Sequence, residues 1–344
     1  MFNEINGRRE LLKNLTKTTL TLTSFRRTLL GGLAGMSAAS GWSSTSAWPN
    51  KQIHFVVPFA AGGANDLIGR AGAEGASKAL NLNQAILIDN KPGAGTTLGA
   101  DFVAKSSADG YTFLISASGV ISNSMIKKSM PYKDSDLVPV AMIALAPSII
   151  IVPASSPYMS LKDLVQKSQT PNGLNFSTAG TGSTPHFVAE LLNLKHNANL
   201  QVVPFKSGSE SLNAVIGAQV DATSEASIIV LPHLKSGRIR ALATTWTQRI
   251  AALPDLQTAI EQGYTELKIA HWAGLHAPKG TPEAILDMMA KAIDTGIKSE
   301  AIASRLQAVG IEPVGGSRAS FNQFISTERS KLSVVIKQSG MVED

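Results

Sequence analysis

Short runs of apolar β-formers alternate with amphipathic stretches along most of this chain, and that alternation predicts an α/β fold. Residues 53–59, 85–88 and 111–115 read as strands, while 64–80 and 97–106 carry the 3.6-residue period of helices. Past residue 153 the pattern restarts. Helices are expected at 161–168, 185–194, 210–216 and 227–234, with strands at 174–177, 200–205, 220–224 and 239–245 between them. Strand–helix alternation of this kind implies βαβ units and a largely parallel sheet.

Two stretches interrupt the alternation. Residues 137–152 are apolar but punctuated by Pro139 and Pro147 and closed by Pro153, too long and too proline-broken for one strand, so an extended crossing is expected. Residues 268–277 form a second such stretch, stopped by Pro278; helices at 282–297, 300–309 and 320–338 follow, punctuated by Gly310, Gly315 and Gly316. Two crossings predict two lobes with a hinge and a cleft: residues 48–148 plus 270–344 form the discontinuous lobe one, and 149–269 form lobe two.

Ligands of such sheets sit at the carboxyl ends of strands. There the first strand hands over to a helix through Phe59-Ala60-Ala61-Gly62-Gly63. A helix N-terminus gathers unpaired N–H groups and partial positive charge, and small residues let a ligand approach the main chain. One such loop is as readily an ordinary tight turn. A second, Ser177-Thr178-Ala179-Gly180-Thr181-Gly182-Ser183-Thr184, precedes Pro185, a residue suited to the first helical position. Facing each other from opposite lobes, the two loops offer donors without a full positive charge, and a carboxylate is their natural guest. A third loop, Ser116–Gly119, lies on the same edge. Asp66 either steadies the first helical turn or accepts from a ligand amine, hydroxyl or bridging water.

Catalytic chemistry finds little support. Cysteine is absent, which excludes a thiol nucleophile, a thiolate metal site and disulfides. There is no Gly-x-Ser-x-Gly elbow and no phosphate loop, and Gly93-Ala94-Gly95-Thr96-Thr97-Leu98-Gly99 is one residue too long for a dinucleotide fingerprint. His186, His271 and His276 lack metal-ligand spacing and are expected to be structural, so neither metal nor cofactor is expected. Trp272, beside the second crossing, serves either as core or as a cleft wall, and the wall is favoured.

The first 47 residues read as a targeting segment: a basic stretch ending at Arg26 and Arg27, a short apolar run, then Thr45-Ser46-Ala47 before Trp48-Pro49. The paired arginines fit a twin-arginine signal as well as an ordinary secretory one. Gly31, Gly32 and Gly35 count against an ordinary amphipathic helix. This segment holds six basic and two acidic residues, a net +4, so only +2 of the whole-chain +6 belongs to residues 48–344. With no basic stripe interleaved with aromatics, nucleic acid is not an expected partner. No uninterrupted apolar run reaches 18 residues, so no transmembrane helix is expected.

Trp48-Pro49-x-Lys51-x-Ile53 leading into Val-Pro-Phe-x-x-Gly-Gly-x-x-Asp resembles the opening of the Bug-type receptors, the periplasmic solute-binding proteins of tripartite tricarboxylate transporters. The likeness continues through Asn90-Lys91-Pro92-Gly93-Ala94-Gly95, Ala108-Asp109-Gly110-Tyr111-Thr112, Ser177-x-x-Gly180-x-Gly182-Ser183-x-x-His186 and Trp272-x-Gly274-Leu275-x-Ala277-Pro278. The resemblance implies a two-lobed type II periplasmic-binding-protein fold that closes on a small organic acid. It places Phe59, Ala60, Ala61, Asp66 and Ser118 on the lobe-one side of the site. Ser177, Thr178, Ala179, Thr181, Gly182, Ser183, His186 and Lys206 fall on the lobe-two side.

Three departures from the family pattern stand out. Ala60-Ala61 replace a common Pro-Pro, leaving the first turn less rigid; Ile228 and Ile229 replace paired prolines; and Ser224-Glu225-Ala226 replace an aromatic and an Asp-Asn pair. Glu225 is therefore expected to face the cleft and alter which ligand is accepted. The expectation is a monomeric, non-enzymatic carboxylate receptor in the periplasm of a Gram-negative bacterium, serving the membrane components of a transporter or a sensor protein. An enzyme acting on an acyl or phospho substrate in the same cleft is the alternative.

Overall fold

The computed structural model describes residues 48–342. The expected targeting segment, residues 1–47, lies outside the described residues. The first elements are three parallel strands, β1 (His54–Val57), β2 (Leu87–Asn90) and β3 (Thr112–Ser116), in spatial order β2-β1-β3. Helix α1 (Ala64–Ala79) links the first two, and α2 (Thr97–Ala104) links the next. A further helix, α3 (Gly119–Ile126), leaves β3 directly. Its eight residues are too few and too β-branched to announce themselves as a period.

Residues 137–153 form a single strand, β4 (Leu137–Pro153), contrary to the expectation that they were too long and proline-broken for one. Register shifts at Pro139/Ala141 and Met142/Ala144 leave Val140 and Ile143 as extra residues that bend the strand, so Pro139 sits at a bulge where a missing donor is tolerated. Burial of most of its side chains explains the continuous apolar run.

Beyond β4 come α4 (Leu161–Ser168), β5 (Leu174–Thr178), α5 (Thr184–His196), β6 (Leu200–Pro204), α6 (Gly208–Ile216) and β7 (Ala222–Ala226). These give a second parallel trio, β7-β5-β6. Then α7 (Ser227–Lys235), β8 (Ile239–Thr244), β9 (Ala270–Pro278), α8 (Glu283–Ile297), α9 (Glu300–Gln307), β10 (Glu312–Pro313) and α10 (Arg318–Ser339) complete the chain.

The strand order is β2-β1-β3-β9-β4-β7-β5-β6, with β8 and β10 also pairing with β4. The sheet is thus mixed rather than largely parallel: the two crossings, β4 and β9, run antiparallel to each other and to the trios they separate. The first part of β4, to Pro147, pairs with β9, and from Ser148 onward it pairs with β7 and β8.

Trp272 belongs to the core and not to a cleft wall. It is 2% exposed and packs edge-on against Phe321 and Phe324 of α10, with centroids 6.1 and 5.4 Å away. Helices α1 and α8 touch backbone to backbone at Gly75 and Gly296, where a Cβ on either would meet the other's main chain. This contact seats α1, and so fixes where its N-terminus points.

Candidate functional site

Four helices begin at one place. The residues preceding α1, α3, α5 and α6 are Gly63, Ser118, Ser183 and Ser207, and all four line one small enclosed cavity. Both parallel trios deliver strand ends there, and the handovers from β1 to α1, β3 to α3, β5 to α5 and β6 to α6 each contribute an N-terminus. At Gly63, Ser118 and Ser183 no side chain caps the first turn; only Ser207 does so, accepting from Glu210 N at 3.2 Å. Four positive helix ends therefore converge on a space whose lining includes no lysine or arginine.

The loop before α1 is braced by Asp66. Its Oδ2 accepts from Gly62 N at 2.9 Å and Arg70 Nε at 3.0 Å, and its Oδ1 from Asn90 Nδ2 at 2.9 Å. Burial alone would raise this carboxyl's pKa, but the bonds from Arg70, Gly62 and Asn90 outweigh it and hold the group below the ordinary Asp value. Asn90 Nδ2 also donates to Phe59 O at 3.0 Å, and Asn65 Nδ2 reaches Trp272 O at 3.0 Å. The turn without prolines is thus held by a hydrogen-bonded carboxylate.

The loop before α5 is held by weaker means. Ser183 Oγ and Thr178 Oγ1 donate to Gly180 O at 2.6 and 3.4 Å, and Gly182 N donates to His186 Nδ1 at 3.2 Å. That last bond puts the ring proton of a neutral His186 on Nε2, 3.5 Å from Glu190 Oε1. Behind the loop, Ser177, Ser211 and Thr223 form a buried hydroxyl knot that ties β5 to α6 and β7.

Three hydrogen bonds join the two sides of the cavity. Ser118 Oγ and Ser122 Oγ donate to Gly182 O at 3.0 and 3.1 Å, and Ser209 Oγ donates to Gly62 O at 3.1 Å. The space they enclose is about 30 Å³. That is room for water, and far less than the several hundred Å³ of a typical ligand pocket.

Two titratable groups line it, Glu225 of β7 and His271 of β9. His271 lies 3.2 Å through Nε2 from Ser148 Oγ, which is 2.6 Å from Ser224 Oγ; burial pushes its pKa down to about 4, so it is neutral at pH 7. Glu225 is 1% exposed, and burial pushes its carboxyl up to about 8, with the Ser211 hydroxyl offsetting a little. Its Oε1 is without a hydrogen-bond partner among the described residues.

Of the residues expected at the site, Phe59, Ser118, Ala179, Ser183 and Glu225 line the cavity. Thr181 and Lys206 instead border a neighbouring outer groove, which Phe59 and Ala179 share. Ala60 and Ala61 form the outer turn of their loop, with Ala61 exposed. Asp66 is occupied by Arg70, Gly62 and Asn90 and does not line the cavity. Ser177 and Thr178 lie fully buried behind it, His186 receives the Gly182 N–H, and Gly182 O receives Ser118 and Ser122.

Gly63, Ala117 and Thr184 fall within the loops named from the sequence, whereas Ala64, Asn65, Pro185, Ser207, Gly208 and His271 are lining residues that sequence reasoning missed. For Ser207 a signal existed. A serine three residues before Glu210 is a cap pattern, and α6 starts at Gly208 rather than 210. Among the described residues no group of three or more metal-ligating side chains is placed to hold an ion, and no helix is long and apolar enough to cross a membrane.

Residues 68–341 match the family described as tripartite tricarboxylate transporter family receptor. Protein BugT of Bordetella pertussis is 31% identical over 86% of this chain and 92% of its own length. Rpa4515 of R. palustris, solved with adipate, superposes with a TM-score of 0.81 at 32% identity, covering 86% of this chain and 99% of that one. MatC from Rhodopseudomonas palustris, solved with bound malate, gives 0.77 at 29% identity over 84% and 100%. Another matching structure is named as a periplasmic binding protein.

Proposed function

The chain belongs to the tripartite tricarboxylate transporter family of receptors, and on that premise we propose that it captures a small organic carboxylate in the cavity between its two parallel trios. Family and structural neighbours are binding proteins, and this chain is a solute-binding protein rather than an enzyme. The observation that carries the ligand class is the meeting of four helix N-termini at one cavity lined by no basic side chain. Main-chain N–H groups from both sides then hold the anion, as helix N-termini hold carboxylates and phosphates elsewhere. Adipate and malate, bound by the two R. palustris proteins, set the size range worth testing first.

The cavity must widen to admit such an acid. Residues 48–148 plus 270–344 act as one lobe and 149–269 as the other, turning where β4 changes partner near Ser148 and where β9 begins at Ala270. Opening breaks the Ser118–Gly182, Ser122–Gly182 and Ser209–Gly62 contacts, and on closure the freed hydroxyls turn to the ligand's oxygens. The protein works as a periplasmic monomer, exported by the basic-then-apolar segment ahead of Trp48, and passes its ligand to membrane components of a transporter or to a sensor.

A thermal-shift screen of mono- and dicarboxylates, amino acids and sugars tests the reading. A binder present at a hundredfold excess over its Kd adds about 2.7 kcal/mol, a clear rise in Tm. Selective stabilisation by carboxylates is expected; a response confined to sugars, or none in any class, contradicts it.

A further inference from the structure

Glu225 is the one acidic side chain that lines the cavity. It stands inside β7, all of whose residues are buried, and its Oε1 has no partner among the described residues. Its carboxyl lies against the first turn of α6, where a Cβ on Gly208 would collide with it. Glycine at 208 is what lets the acid sit there.

The other titratable groups on the surrounding elements are committed elsewhere. Asp66 of α1 is bonded to Arg70, Gly62 and Asn90. Glu210 of α6 is exposed and accepts from Lys206 N. His186 of α5 accepts from Gly182 N, with Glu190 beyond it. On α7, His233 and Lys235 lie in the last turn, away from β7. The neighbouring β4 and β5 bring hydroxyls, Ser148 and Ser177, and β9 brings His271, held by Ser148.

A buried cavity rimmed by helix N-termini sustains one negative charge well and two poorly. An ammonium group would meet four positive helix ends. We propose that Glu225 is a specificity-determining residue that enters the cleft as a neutral acid and donates its O–H to a carboxylate oxygen of the ligand. The receptor then selects acids that present a bare carboxylate to β7 and takes each together with one shared proton. This rests on the carboxylate reading above. Burial agrees with it, holding the Glu225 proton up to about pH 8. No bond is broken: below that pH the proton is already on Glu225, and above it binding draws one from solvent.

Isothermal titration with adipate, malate and the ammonium-bearing 6-aminohexanoate and aspartate, in buffers of differing ionisation heat, tests the proposal. Both diacids are ionised well below neutrality, so any slope above about pH 7 reports the protein. The expected result is flat affinity for a diacid up to about pH 7.5, then a fall approaching tenfold per pH unit above about pH 8, with nearly one proton taken up. E225Q keeps a donor in place but carries no titrating proton, so its affinity for a diacid should show no slope between about pH 7 and 9.5. Wild-type affinity independent of pH overturns the proposal and leaves the carboxylate reading standing. So does tighter binding of an ammonium-bearing ligand that E225Q abolishes. Failure of every carboxylate to bind from about pH 5 to 9.5 removes both.

Discussion

The two loops facing each other across the cavity are built from the same small residues but held by different chemistry. Before α1, a buried Asp66 gathers a main-chain N–H, a guanidinium and an amide. Before α5, hydroxyls and one imidazole nitrogen make single bonds within the loop, and Gly182 O turns outward to accept Ser118 and Ser122 from the opposite side. The first loop is a fixed platform. The second is a clasp, because its outward bonds can be exchanged for ligand or water at little cost. The proposed opening and closing calls for one of each, and the side before α1 is held by a bonded carboxylate rather than by proline.

Breaking the platform should have the largest effect. Asp66→Ala orphans the Gly62 and Asn90 donors and is expected to cost about 2–3 kcal/mol of stability, together with most ligand affinity, read by urea unfolding and calorimetric titration. The pH dependence sharpens the point. The folded pKa of Asp66 lies below its ordinary value of 3.8, so its contribution is present above that pH and drains away as pH falls through the lower folded value. The stability gap between wild type and Asp66→Asn should therefore narrow in acid.

Loosening the clasp should matter less. Ser118→Ala with Ser122→Ala removes two bonds to Gly182 O, about 1–2 kcal/mol together. The expected result is roughly tenfold weaker binding with little loss of fold stability, and small-angle scattering should show a more open unliganded protein. Unchanged affinity would mean the contacts do not govern closure.

Glu225 lies between the two loops and has the opposite pH sign to Asp66. Its raised pKa means the unfolded chain gives up the proton first, so the native state loses stability as pH climbs from about 4.5 towards 8. E225Q should thus raise Tm more at pH 8 than at pH 5. The smallest effect is expected from Lys206→Ala. That side chain is exposed beside the outer groove, and its removal should change affinity by less than about threefold.

Both loops were legible because a strand of β-formers followed by small residues and a helical period is a local signal. The trios, too, follow from strand–helix alternation. What escaped reading was set by partners distant in sequence. A 17-residue β4 became credible only once bulges and pairing with β9 on one part and β7 and β8 on the other relieved its prolines. Trp272 went to the core because α10, from the far end of the chain, brings Phe321 and Phe324 against it. β7 covers Ala222–Ala226, which buries Glu225, and Asp221 just before it is tied to Asn175 of β5, accepting its N–H at 2.8 Å and donating to its carbonyl at 3.0 Å. Asp66 and Ser177 were rightly noticed as polar residues near a strand end, but their bonds run to the scaffold and not into the cavity.

The most direct test of the account is a crystal structure of the protein with a bound dicarboxylate identified by the screen. The account predicts a ligand carboxylate enclosed among the first turns of α1, α3, α5 and α6, its oxygens about 2.7–3.2 Å from main-chain N–H groups and no lysine or arginine in contact. A carboxylate lying instead in the outer groove against Lys206, with the inner cavity unchanged, would contradict it.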